Sequence, residues 1–126
     1  MSKQKVKGDK YERELAAYFN DKTGINCSRA PLSGGGNVNM YGTADLIGTP
    51  ALFVEAKRVE RLNFHDAMRQ AEGNISKTNS MCMPVVINRK NQMKTGDSLC
   101  LLRLDDLLTL YRCYLVLNGY TKDDQS

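Results

Sequence analysis

The sequence predicts a single α/β domain with a sheet flanked by helices, and three observations predict it. Apolar residues recur at helical spacing in three separate stretches. Short apolar runs bounded by glycine, proline or asparagine lie between them. The two kinds of segment follow one another as α-β-β-β-α-β-β-α. At 126 residues the chain has room for one core, so the domain is read as residues 1–126, with a basic arm over 1–8 and a short polar tail over 120–126. A hydrophobic fraction of 41% beside a charged fraction of 25% argues against disorder.

Asp9-Lys10-Tyr11-Glu12 reads as a helix start, with Asp9 as N-cap and Glu12 in the reciprocal position of a capping box. Tyr11, Leu15, Tyr18 and Phe19 then share a face, and Gly24 closes a helix over residues 9–22. Residues 25–30 read as a strand leading to Pro31, and Ser33-Gly34-Gly35-Gly36-Asn37 is a loop without the G-K-[ST] ending of a nucleotide-binding loop. Strands near 43–48 and 51–58 flank the turn signal Gly48-Thr49-Pro50. Asn63 caps a second helix, in which Phe64, Met68, Ala71 and Ile75 recur to Lys77 with Gly73 as a weak point. Strands over 83–88 and 98–103 are joined by a basic loop, Arg89 to Gly96. Asp105 or Asp106 caps the last helix, which Gly119 ends; its Leu107, Leu108, Tyr111, Tyr114 and Leu115 make a broad apolar surface, either core or interface.

Composition narrows the function classes. A net charge of +4 and a pI of about 8.9 are compatible with a nucleic-acid partner. Lys3, Lys5, Lys7 and Lys10 open the chain, Lys57, Arg58 and Arg61 follow the central strands, and Arg89, Lys90 and Lys94 cluster later. Four cysteines without a C-x-x-C pair point to a reducing compartment, and a single histidine, His65, excludes the usual zinc sites and is given no catalytic role. With no signal peptide and no apolar stretch long enough to cross a membrane, a cytoplasmic location is expected.

The chemistry concentrates in Thr43 to Arg58, where Asp45 precedes Glu55-Ala56-Lys57 by one turn. Strand alternation puts Glu55 and Lys57 on one face, and a hairpin brings Asp45 beside Glu55. Two carboxylates so close repel unless a cation lies between them, and hard oxygen donors suit Mg²⁺, with Mn²⁺ as a substitute. Lys57 on the same face is placed to act on an attacking water or on the charge of a phosphodiester transition state. The bland alternative is an edge strand with one solvated face.

In its motifs the chain resembles the PD-(D/E)xK nuclease superfamily, and within it the archaeal-type Holliday-junction resolvases that also occur in viruses. The resemblance covers about residues 7–90 and rests on Gly8-Asp9-Lys10-Tyr11-Glu12-Arg13-Glu14-Leu15, on Arg29-Ala30-Pro31-Leu32-Ser33-Gly34, on Asp45-Leu46-Ile47 and on Glu55-Ala56-Lys57. It implies a restriction-endonuclease-like αβββαβ core with a mixed central sheet flanked by helices, and a metal-dependent, dimeric DNA endonuclease that nicks four-way junctions symmetrically. It further implies Glu12 as a third acid at the metal, Arg13 and Arg29 on DNA phosphates, and Ser33 in a loop that approaches the junction. Ala44 stands where the superfamily name has proline, and the segment between Arg29 and Asp45 is long and glycine-rich.

The resulting site has Glu12, Asp45, Glu55 and Lys57 as catalytic residues. Mg²⁺ is held by Glu12, Asp45, Glu55 and the backbone oxygen of Ala56, and DNA by Lys7, Arg13, Arg29, Ser33 and Arg58. Gln70 is either solvated or a support for the ligands, and Glu14 is read as a solvated helix face. The alternatives are another nuclease on this fold, acting on flaps, nicks or duplex, and a DNA-binding module without turnover.

Overall fold

The structure, a computed structural model, describes residues 3–31, 44–78 and 81–123, with side chains from Gly8 onward. The elements are α1 (Lys3–Thr23), β1 (Ser28–Arg29), β2 (Leu46–Ile47), β3 (Leu52–Lys57), α2 (Phe64–Thr78), β4 (Met83–Asn88), β5 (Leu99–Leu101) and α3 (Leu104–Leu117), with a 3-10 turn over Thr95–Asp97 before β5. This is the expected element order.

β3 and β4 run parallel, in register Val54↔Val85 and Glu55↔Val86, and α2 is the crossover that a parallel pair requires. β5 adds antiparallel to β4, making a mixed three-stranded sheet, and β1 pairs antiparallel with β2 beside it. The period-two alternation of the strands sends side chains to two layers. Val54, Val85 and Ile87 meet Tyr11, Leu15, Ala16, Cys27 and Leu46 on the α1 side, whereas Val86 meets Ala67, Met68 and Ala71 of α2.

Four expectations need correction. α1 begins at Lys3, so Asp9 and Glu12 lie inside the helix and neither caps it. Both carboxylates instead face Arg29, whose ion pairs outweigh a local capping pattern. β1 is shorter than predicted because the Asn20 side chain takes up the backbone of Cys27. Its Oδ1 accepts the Cys27 N–H at 2.8 Å and its amide donates to the Cys27 carbonyl at 2.9 Å, which leaves no free edge for a longer strand. β2 pairs with β1 rather than forming a ladder with β3, to which it is joined through the Asp45 N–H donated to the Val54 carbonyl at 2.8 Å. At α3, neither Asp105 nor Asp106 caps the helix; Arg103 stands at the N-cap with no side-chain cap bond.

Other terminal signals hold. Asn63 Oδ1 accepts the Asp66 N–H at 3.1 Å, which caps α2 as expected. Gly119, at φ +77°, ends α3 with its N–H on Val116 and the Tyr120 N–H on Leu115, the paired bonds of a Schellman motif. Gly48 is required in the turn before β3. Its φ is +83°, and a Cβ there would stand 2.9 Å from the Asn26 carbonyl oxygen.

Candidate active site

Asp45 is fixed by its neighbours' backbone on three sides. Its N–H donates to Val54, its carbonyl accepts from the Ala30 N–H at 2.8 Å, and its Oδ2 accepts from the Ala56 N–H at 2.7 Å. The last bond points the carboxylate at β3 and toward Glu55, the next residue back along that strand. Glu55 is only 7% exposed, and it is bonded to the Asp45 side chain and, at 3.3 Å, to the Asn74 amide of α2.

The electrostatics follow from this packing. Burial first, and then the Glu55 charge, push the Asp45 carboxyl up to about 7. Burial also raises Glu55, against the opposing effect of hydrogen bonds from Asp45 and Asn74. Glu12 on α1 is raised by burial and then by the Asp45 charge, so the three carboxylates act on one region of space. Lys57, two residues on from Glu55 along β3, draws both Asp45 and Glu55 back toward ionisation. Glu12 is held by Arg29, whose Nε donates to Oε2 at 2.8 Å. The Arg29 Nη2 is 2.9 Å from Asp9 Oδ1, an ion pair rather than an aligned hydrogen bond. Among the described residues no three acidic, cysteine or histidine side chains converge tightly enough to ligate one ion together.

Beside Lys57 a cavity of about 500 Å³ opens between Gly8, Ala56, Arg58, Val59, Glu60 and Asn91. Its wall is set by buried Asn88, which accepts the Val59 N–H at 3.1 Å and donates to the Val59 carbonyl at 3.0 Å. Arg58 donates to the Arg89 carbonyl at 3.3 Å, and Arg89 lies over the Tyr11 ring and 3.6 Å from Glu14. Glu14 is therefore an ion-pair partner and not simply a solvated face.

The structure thus brings together Glu12, Asp45, Glu55, Ala56, Lys57 and Arg29, with Arg58 on the neighbouring cavity. Arg13 is exposed on α1 and Gln70 is exposed on α2. Lys7 falls in α1 but its side chain is outside the described set, and Ser33 lies outside the described residues. Asn74, Asn88 and Asp9 are the contributors that motif reading missed. A signal existed for Asn74, since an asparagine inside a helix is locally unfavourable and invites a tertiary reason.

Over residues 3–112 the chain matches a family model described as phage putative PDDEXK endonuclease. It belongs to that family. No curated protein and no solved structure matches it. The phage PDDEXK endonuclease match spans every candidate residue from Lys7 to Asn74. Membership makes the domain a nuclease of the PD-(D/E)xK kind, with DNA as substrate, in a superfamily that generally uses divalent metals. The donor set fits such an ion: two adjacent carboxylates whose burial penalises their charge lose that penalty when a cation binds.

Proposed function

We propose that this PDDEXK endonuclease resolves four-way DNA junctions by symmetric nicks, acting as a two-fold dimer in a reducing cytoplasm. One observation carries the catalytic part: buried Asp45, raised to about 7, sits against Glu55 with Lys57 beside the pair. In this reading Asp45, Glu55 and the Ala56 carbonyl hold Mg²⁺ or Mn²⁺, and Glu12, held back by Arg29, reaches the ion through water. Bound there, the metal supplies an activated water and neutralises phosphate charge.

The protein's own groups do the rest. Lys57 sets a positive charge where negative charge builds at the phosphorus. Arg29, only 16% exposed at its side chain and already shared by two carboxylates, aligns Glu12 and lends charge to the scissile phosphate. Lys7, Arg13, Ser33 and Arg58 contact the DNA backbone, with Arg58 at the mouth of the 500 Å³ cavity. Asn74 holds Glu55 from α2, whereas Gln70 is exposed on the same helix.

The junction and dimer parts are supported by the Gly8-to-Leu15 and Arg29-to-Gly34 patterns and by substrate symmetry, since a four-way junction needs two opposed cuts and each chain offers one site. None of the four cysteines is in a disulfide, which suits a reducing compartment. The test is cleavage of labelled four-way junction, flap and linear duplex in Mg²⁺ with the cuts mapped at nucleotide resolution. Paired cuts at symmetric positions in opposing junction strands are expected. Equal rates on all three substrates would overturn junction selectivity, and no cleavage in Mg²⁺ or Mn²⁺ would leave the DNA-binding module.

A further inference from the structure

α3 carries an apolar face that no described part of the chain covers. By helical periodicity Leu104, Leu107, Leu108, Tyr111, Tyr114 and Leu117 fall within one half of its circumference, and Asp105, Asp106, Thr109 and Arg112 occupy the other. Those six expose between 48% and 85% of their surface, and no residue of the helix is buried. Among the described residues α3 packs on no other helix or strand more than marginally. A helix of 14 residues is marginal by itself in water, so its stability has to come from packing.

A receptive surface lies at the base of this helix. Phe64, Met68, Leu101 and Leu102 line a groove of about 220 Å³ with His65 and Arg103 at its rim. Nearby Phe64 and Leu99 are themselves exposed. Arg103, the N-cap residue of α3, is tied to α2 by two bonds to the Glu72 carboxylate, at 2.9 and 3.0 Å.

We propose that α3 is a dimerisation arm, whose leucine and tyrosine face packs on the α3 of a second copy of this chain and into the groove beside that copy's α2 and β5. The inference rests on the dimeric reading above and assigns its interface. Three arguments select a second copy as the occupant. With Leu110 the face shows about 800 Å², at ~200 Å² for a fully exposed large side chain, which matches the share of one partner in a standard interface. The face carries no charged residue, so it offers nothing to an acidic or basic partner. Face and groove also belong to the same chain, so one two-fold rotation satisfies both on each copy. Because the groove is built on α2, which brings Asn74 to Glu55, the interface borders the element that supports each site.

The experiment uses the full chain and its Leu108→Glu, Tyr111→Glu and Phe64→Glu variants, followed by sedimentation velocity and circular dichroism. Wild type is expected as a dimer at micromolar concentration. The two α3 variants should weaken the dimer by about 100-fold or more and lose helical signal equivalent to α3, with the rest of the spectrum kept. Phe64→Glu should weaken the dimer at least about 10-fold while leaving α3 helical at dimeric concentrations. Variants that dimerise like wild type overturn this interface and leave the dimeric reading standing. A wild type that stays monomeric at 100-fold higher concentration overturns both, and assigns the face to another occupant, either residues 32–43 of the same chain or a different protein. An α3-dependent dimer that cuts duplex as fast as junctions supports the interface and overturns only junction selectivity.

Discussion

Asp45 shows how one residue collects several constraints. Its backbone joins β1 to β3 and its carboxylate is aimed by the Ala56 N–H, so the position tolerates little change in side-chain length. Its carboxyl titrates near 7 in the fold against an ordinary 3.8. A raised acid is protonated in the fold where the unfolded chain is ionised. Its stabilising effect is therefore full below about pH 4 and is lost as pH rises toward 7. Thermal melts in EDTA should show this loss, and Mn²⁺ should raise the melting temperature more at pH 8 than at pH 5.5, because proton and metal compete for one carboxylate. Asp45→Asn should shrink both dependences to what the raised Glu55 and Glu12 contribute, and abolish cleavage while DNA binding survives. A metal-induced shift that is the same at both pH values would exclude Asp45 as a ligand. Asn74→Ala should leave DNA affinity unchanged, lower the turnover rate by about 10-fold or more, and weaken Mn²⁺ binding, since the amide orients Glu55 without touching substrate. Calorimetry beside single-turnover rates separates this from a role in folding, and Asn74→Gln is the rescue control.

At the scale of elements, the site depends on α1 being tied to the sheet by charge. Arg29 on β1 links Asp9 and Glu12, three residues apart and so on one face of α1. Arg29→Ala leaves two half-buried carboxylates without their cation, and an unfolding free energy lower by about 1–3 kcal/mol is expected from urea titration. Arg29→Lys should recover only part of that loss, since an ammonium cannot span two carboxylates in the way a planar guanidinium does. Equal stability of Arg29→Ala and wild type would show that α1 is held by its apolar face alone. The helical spacings of Tyr11-Leu15 and Phe64-Met68-Ala71 were legible because burial on one face imposes a period. The capping box at Asp9 misled because the same residue types serve an ion pair equally well, and only the approach of Arg29 decides between them.

For the whole molecule, DNA held through phosphate contacts should be bound with an affinity that falls steeply with salt. Each phosphate contact removed, as in Arg13→Ala or Arg58→Ala, should reduce the slope of log affinity against log salt by about 0.9 on duplex arms. Fluorescence anisotropy between 50 and 300 mM salt measures it, and slopes unchanged in both variants would remove these arginines from the DNA path. No described helix is long and apolar enough to cross a membrane. The element order survived intact from sequence to structure, since periodicity and turn residues are local signals. Strand pairing did not, because β2 chose β1 through contacts that cross a long intervening segment.

Sequence by itself determined the α/β class, the order of elements and the D…E-x-K pattern, all of which rest on spacing along the chain. Tertiary structure alone decided that Glu12 is turned to Arg29, that Asn74 and not Gln70 reaches Glu55, and that α3 stands clear of the core. Each of these depends on which surfaces meet in space. A helix face reads the same along the chain whether it packs on its own sheet or waits for a partner.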